Sequence, residues 1–154
     1  MIRKYQDNDL LLCSYILMTV YNNELCKCHW TAQTAQKYLQ EIVEQKRFVG
    51  FTLWEKEKLI GAIFTHEKTW WNNDEIFIDE MFILPEYQRK GHGTELIKAV
   101  EKHIRKKNLA GMTLITYRTS LAPEFYIKNG FSNAEQVLYM SKAIVKEEQR
   151  SLLA

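Results

Sequence analysis

The fold is decided by the stretch Leu84-Pro85-Glu86-Tyr87-Gln88-Arg89-Lys90-Gly91-His92-Gly93-Thr94. A β-rich run ends at Pro85, because proline cannot donate a ladder hydrogen bond, and a helical pattern begins at Thr94. The glycines between them allow a ligand to approach the backbone closely. Since a helix start also presents free amides and a positive dipole, the sequence predicts an anion site at this junction. The alternative is a glycine turn beside a solvated basic helix face.

The helix that follows is amphipathic and basic. Residues 94–108 place Leu96, Ile97, Val100 and Ile104 on one stripe. Residues 89–107 hold seven Lys or Arg against two Glu, in a chain whose net charge is only +2. Such a local excess attracts polyanions. Aromatic side chains are not interleaved with these bases as a stacking surface requires, so we expect no nucleic-acid partner.

Periodicity outward from this stretch predicts the order β-α-α-β-β-β-α-β-α-β. The predicted elements are strand 1–5, helix 10–21, helix 31–46, strands 47–54, 59–65 and 75–84, helix 94–108, strand 112–117, helix 123–129 and strand 136–142. One strand-helix-strand crossover among hairpins predicts an α/β fold of mixed α+β layers, in which helices flank a central mixed, mostly antiparallel sheet.

Composition predicts one compact soluble domain. The chain has 154 residues, of which 46% are hydrophobic and 26% charged, and we assign residues 1–142 to the domain and 143–154 to a tail. The uncharged run from Leu10 to Asn23 resembles a signal-peptide core, but Asp7 and Asp9 precede it and it is too short to span a bilayer. We expect a cytoplasmic protein with no membrane partner.

The cysteines predict a reducing compartment and no metal. Three cysteines are an odd number, at spacings unlike those of a disulfide scaffold, so we expect free thiols. Cys26, Cys28 and His29 form a cluster, yet no second Cys/His pair follows at finger spacing.

A second motif gives the chain a family resemblance. Residues 122–131 read Ala-Pro-Glu-Phe-Tyr-Ile-Lys-Asn-Gly-Phe, and together with Gln88 to Gly93 they resemble the two motifs of the GNAT superfamily of N-acetyltransferases. The resemblance covers the chain from Met1 to about Lys142. It is weaker for the branch that contains aminoglycoside acetyltransferase-like proteins.

The resemblance implies an acetyl-coenzyme A site and no metal. The pyrophosphate would lie on the loop backbone between flanking charges, and the pantetheine arm would pair with the strand before the loop. The implied binding residues are Met81, Phe82, Ile83, Gln88, Arg89, Lys90, Gly91, His92, Gly93 and Thr94. Two positions depart from the family pattern: His92 stands where an aliphatic residue is usual, and Thr119 where an asparagine is common.

The resemblance also implies that Tyr126 protonates the coenzyme A sulfur and that the Met81 amide polarises the acetyl oxygen. The alternative for Tyr126 is a core aromatic. Asp79 and Glu80 interrupt an apolar strand, and a buried carboxylate is costly unless it is paired or faces a polar cleft. Since adjacent strand residues point to opposite faces, the two cannot share one role. We expect Glu80 to be the base, directly or through water, and Asp79 is the second candidate. The alternative is a structural ion pair with a neighbouring Arg or Lys.

Acidic and aromatic residues predict a cationic acceptor. Residues 69–80 hold Trp70, Trp71 and four acids without Lys or Arg, which suits a cation. The resemblance places an acceptor site in the segment from Tyr21 to Trp30, which contains Glu24. We therefore expect transfer of acetyl to a primary amine of a small cationic molecule, of polyamine or amino-sugar type, by direct attack in a ternary complex. The alternatives are a peptide or protein N-acetyltransferase and a non-catalytic acyl-coenzyme A sensor. Packing of the tryptophans in the core or in a homodimer face is a further alternative.

Overall fold

The computed structural model describes residues 1–22 and 28–146, and Glu24 and Cys26 therefore lie outside the described residues. The elements, in chain order, are β1 (Ile2–Lys4), α1 (Leu10–Tyr21), α2 (Ala32–Val43), β2 (Phe48–Glu55), β3 (Lys58–Lys68), β4 (Glu75–Ile83), α3 (His92–Lys107), β5 (Met112–Thr113) and α4 (Ala122–Lys128), with 3-10 turns at Asp7–Asp9 and Pro85–Tyr87.

Five strands among the described residues form one sheet in the order β1-β2-β3-β4-β5. The first four are antiparallel neighbours, and β5 pairs parallel to β4 through Ile76 with Met112 and Phe77 with Thr113. The charged connection between β2 and β3 is a tight turn in which Lys56 has a φ of 52°. This mixed, mostly antiparallel sheet confirms the predicted fold class.

Helices cover both faces of the sheet and form two cores. On one face α1 and α2 bury Leu17 and Leu39 against Phe64 and Phe82; on the other, α3 buries its predicted stripe against Ile63 and Ile76. Thr31 caps α2, since its side chain accepts a hydrogen bond from the Thr34 amide. Asp9 directly precedes α1, but its carboxylate accepts from the Gln6 amide and not from the helix.

An irregularity in β4 overturns the prediction that Asp79 and Glu80 point to opposite faces. The β3–β4 register shifts between Phe64 and Thr65, which pair with Glu80 and Ile78 and leave Asp79 as an extra residue. A bulge of this kind breaks the alternation of side chains. Both carboxylates consequently reach partners from α1, α2 or the residues just after α2.

The predicted strand over residues 136–142 is wrong, and the strand predicted over 112–117 is reduced to Met112–Thr113. Val137, Leu138, Tyr139 and Met140 are 68–80% exposed, so no neighbouring strand supplies ladder hydrogen bonds to this segment. Among the described residues, no strand lies beside residues 114–117 on the side away from β4, because residues 136–142 form no strand there. Within the described ranges, no helix is long and apolar enough to cross a membrane.

Candidate active site

The glycine loop forms a helix start with free backbone amides. Gly91, at a φ of 86°, immediately precedes α3. The Glu95 amide donates to the Gly91 carbonyl at 3.1 Å, which leaves the amides of His92, Gly93 and Thr94 without intrahelical partners. A Cβ on Gly91 would meet no atom within 4 Å. The residues therefore suit an anion such as a pyrophosphate, which needs open space and converging amides.

The neighbouring edge of β4 is also open. The Leu84 amide donates to the Ile60 carbonyl on β3, and strand amides alternate in direction, so those of Met81 and Ile83 point away from β3. The ladder between β4 and β5 ends at Phe77. The two strands thus leave a cleft beside residues 78–83, where an extended ligand arm could pair with the backbone.

Phe82 and Gln88, two of the predicted cofactor-binding residues, make other contacts in the structure. The Phe82 amide points toward β3 by the same alternation, and its side chain is buried in the α1/α2 core. The Gln88 side chain donates to the Ile83 carbonyl at 2.9 Å. Gln88 therefore positions the strand end, while Met81 and Ile83 supply the backbone amides that face the cleft.

Two tyrosines hold Glu80 at the centre of the site. The Tyr21 hydroxyl at the end of α1 donates to Oε1 at 2.5 Å, and the Tyr38 hydroxyl on α2 donates to Oε2 at 2.8 Å. Burial raises the pKa of Glu80, while these two hydrogen bonds and the Met81 amide oppose the rise. The two hydroxyls and the Met81 amide occupy three of the carboxylate's lone-pair positions, about four in all, so Glu80 can still accept a proton.

The negative charge of Glu80 affects the pKa of Tyr126. Burial, and then the negative charge of Glu80, raise the pKa of Tyr126 to about 12. Its ring packs between Phe125 and Phe131, with centroid distances of 5.1 and 5.2 Å. The predicted acid therefore lies within electrostatic range of the predicted base, and Tyr126 also packs against the α3 core, as the alternative required.

An aromatic wall borders this cluster. The Asn22 side chain bonds both the amide and the carbonyl of Trp30, at 2.7 and 2.6 Å. Trp30 in turn lies against the Tyr38 ring at a centroid distance of 5.0 Å. The sequence analysis missed the role of Tyr21 and Tyr38 as hydrogen-bond partners of Glu80, because helical periodicity does not report where a phenol points.

The acidic and aromatic edge predicted over residues 69–80 does not form one surface. Arg47 binds Asp74 at 2.6 Å and Glu67 at 2.8 Å. Asp79 binds His66 at 2.7 Å and accepts from Gln45. Asp74 lies just before β4, and the chain from it to Glu80 is about 20 Å long at 3.3 Å per residue. Trp71 is 87% exposed. Among the described residues, the predicted cation-binding features near the cleft are Glu80 and Trp30, whereas Glu24 lies outside those residues.

The close packing of Gly93 predicts a stability effect. A Cβ on Gly93 would lie 2.8 Å from the Phe125 ring. We expect Gly93→Val to lower stability by about 1–3 kcal/mol through overpacking, measured as a drop in Tm. Gly111→Ala is the matched control, because a Cβ there meets nothing within 4 Å. We also expect the smaller Phe125→Leu side chain to restore part of the Tm that Gly93→Ala loses. If Gly93→Val melts at the same temperature as the parent, the close packing of Gly93 against Phe125 is contradicted.

Comparison with known proteins identifies the family. A model of the acetyltransferase (GNAT) domain matches residues 17–143. Comparison with curated protein sequences gave no match. Among solved structures, a possible acetyltransferase from Clostridium difficile 630 superposes with a TM-score of 0.77 at 18% identity, covering 94% of this chain and 98% of that one.

Two similar structures are aminoglycoside acetyltransferases. AAC(6')-Iy, in complex with the bisubstrate analogue CoA-S-monomethyl-acetylneamine, gives a TM-score of 0.73 at 17% identity, covering 94% of this chain and 98% of that chain. The 6'-N-acetyltransferase AAC(6')-IG from Acinetobacter haemolyticus gives 0.73 at 14% identity, covering 94% and 99%. These likenesses show the fold, and the family model spans most of the chain: the protein belongs to the GNAT family of acetyltransferases.

Proposed function

We propose that this acetyltransferase moves an acetyl group from acetyl-coenzyme A to a primary amine of a small cationic molecule, of polyamine or amino-sugar type. The observation that carries the proposal is the cluster of Glu80, Tyr21, Tyr38 and Tyr126 beside an open strand edge that leads to a helix N-terminus. The aminoglycoside-related ligand of one similar structure supports the same acceptor class.

The cofactor would be held by backbone groups. The amides of His92, Gly93 and Thr94 would bind the pyrophosphate, with Arg89 and Lys90 as flanking charges. The Ile83 amide would pair with the pantetheine arm. Acetyl-coenzyme A supplies the acetyl thioester.

The side chains of the cluster would then handle the two protons. Glu80 accepts the proton of the attacking amine, directly or through water, and its charge attracts a cationic acceptor. Trp30 and Tyr38 present aromatic faces to the same cation. Tyr126 keeps its proton at neutral pH, because its pKa is about 12, and donates it to the leaving sulfur. The Met81 amide polarises the acetyl carbonyl.

A thiol-release screen tests this proposal. Acetyl-coenzyme A is incubated with polyamines, aminoglycosides, lysine peptides and neutral amines, and free coenzyme A is measured for each. We expect kcat/KM to be highest for small polycations and to fall for neutral amines, because only the former gain from the charge of Glu80. A preference for peptides would favour the protein-acetylating alternative. Cofactor binding by calorimetry, with no thiol release for any amine, would favour the sensor alternative.

A further inference from the structure

One side chain joins the end of α1 to the residue before α2 begins. The Asn22 side chain donates to the Trp30 carbonyl at 2.6 Å and accepts from the Trp30 amide at 2.7 Å. A primary amide carries a donor and an acceptor side by side, so it can pair with both polar groups of one backbone residue, as a neighbouring strand does. This Asn22–Trp30 link therefore fixes the backbone of Trp30 at two points.

The two ends of the Asn22–Trp30 link differ in their support. Asn22 is held by α1, because its backbone amide donates to the Met18 carbonyl at 2.8 Å. Trp30 precedes Thr31, the residue that caps α2, and it lies outside the hydrogen-bond ladder of that helix. The position of Trp30 thus depends on the Asn22 side chain more than on the helix that follows.

The Asn22–Trp30 link leads to the candidate active site. Trp30 is half-buried, and its ring centroid lies 5.0 Å from that of Tyr38, with an angle of 37° between the ring planes. The Tyr38 hydroxyl donates to Glu80. Tyr21, the residue before Asn22, donates to the same carboxylate. Asn22 itself is exposed, so contacts run from a surface side chain through two aromatic rings to the cluster.

We propose that Asn22 is a positioning residue that sets acceptor specificity: it holds the Trp30 ring beside the cluster, where the ring favours amines that carry a second positive charge. This inference rests on the proposed function. A polyamine keeps charge on its other nitrogens when one nitrogen is neutral and attacks, and an aromatic face within about 6 Å attracts such a charge. A monoamine has no second charge and gains nothing from the ring. Loss of the Asn22 amide should therefore weaken the use of polyamines alone.

Kinetics with spermidine and butylamine test the proposal. Asn22→Leu is similar in size but lacks both hydrogen-bonding groups. We expect it to lower the ratio of kcat/KM for spermidine to that for butylamine by about two- to thirtyfold, the range of a cation–π contact. The loss should lie in KM, because the ring binds the second charge equally in the ground state and the transition state. An unchanged ratio overturns the proposal.

The other properties of the variant should match those of the parent. Affinity for acetyl-coenzyme A and the acidic limb of the pH profile should not change, since the cofactor loop and Glu80 keep their contacts. Asn73→Leu is the matched control. It removes a side-chain hydrogen bond to the Asp74 amide in the connection between β3 and β4, and it should keep the parent's ratio.

A double-mutant cycle tests whether Asn22 acts through Trp30. Trp30→Ala should lower the spermidine-to-butylamine ratio by about the same factor as Asn22→Leu. Adding Asn22→Leu to Trp30→Ala should lower it no further, because the ring that Asn22 positions is then absent. Additive losses would mean that Asn22 acts by another route, and they overturn the proposal.

Hydrogen exchange reports on the Asn22–Trp30 link without any reaction. Labelling with ¹⁵N-tryptophan gives amide signals for the four tryptophans, and Trp30→Ala identifies that of Trp30. The Trp30 amide should exchange about tenfold faster in Asn22→Leu than in the parent. The Trp54 amide, which donates to the Met1 carbonyl at 2.9 Å, should be unchanged. Equal exchange of the Trp30 amide in both proteins overturns the proposal.

Failure of this inference is distinguishable from failure of the proposed function. A parent that releases no thiol with any amine overturns the proposed function. An active parent whose preference for spermidine does not depend on Asn22 overturns this inference alone.

Discussion

Tyr126→Phe should lose about a hundredfold to ten-thousandfold in kcat while keeping its fold. The substitution retains the ring, and thus its contacts with Phe125 and Phe131, but removes the proton that the leaving sulfur needs. Within the described residues, the Tyr126 hydroxyl has no hydrogen bond to lose. We therefore expect the Tm and the affinity for the cofactor to match those of the parent.

The measurement is turnover with the best acceptor of the screen, together with calorimetry and thermal melting. Tyr15→Phe, at a half-exposed tyrosine on α1, is the matched control and should be fully active. A pKa of about 12 for Tyr126 also predicts that turnover of the parent shows no alkaline limb from this group between pH 7 and 10, because the phenol stays protonated. If kcat of Tyr126→Phe stays within a factor of two of the parent, Tyr126 is structural.

Elements with a local cause could be predicted from the sequence. Thr31 caps α2, Pro85 ends β4 and the stripe of α3 lies in the core, because capping, proline chemistry and helical periodicity each act within a few residues. The β2–β3 hairpin follows from its short charged turn for the same reason. The prediction of a strand over residues 136–142 was wrong, since a strand pattern indicates only that a segment can pair and not where its partner is.

In the candidate site, too, the features with a local cause were predictable and those that depend on tertiary packing were not. The glycine loop was predictable, because a helix start determines the direction of its own amides. The partners of Glu80 were not, since Tyr21 and Tyr38 come from two helices and meet the carboxylate only through tertiary packing. The bulge at Asp79 reversed a conclusion drawn from alternation, and sequence periodicity contains no sign of a one-residue register shift.

Glu80→Gln should lower kcat/KM by about a hundredfold to ten-thousandfold, because the amide cannot accept the proton of the attacking amine. The side chain keeps its shape, and the hydroxyls of Tyr21 and Tyr38 can each donate or accept a hydrogen bond, so the cluster stays satisfied. Asp79→Asn is the matched control. It neutralises the adjacent carboxylate, which His66 and Gln45 already hold, and should retain most activity; the opposite order of effects would make Asp79 the base.

The pH profile separates a base from a merely structural carboxylate. Burial raises the pKa of Glu80, so the acidic limb of kcat/KM should lie above the ordinary glutamate range and disappear in Glu80→Gln. The hydrogen bond from Tyr38 lowers this pKa, so Tyr38→Phe should move the limb to higher pH. Ionised Glu80 costs folding free energy, and the stability of the parent should therefore fall as pH rises from the unfolded pKa to the folded one, whereas that of Glu80→Gln should not. If the limb persists unchanged in Glu80→Gln, Glu80 does not take the proton.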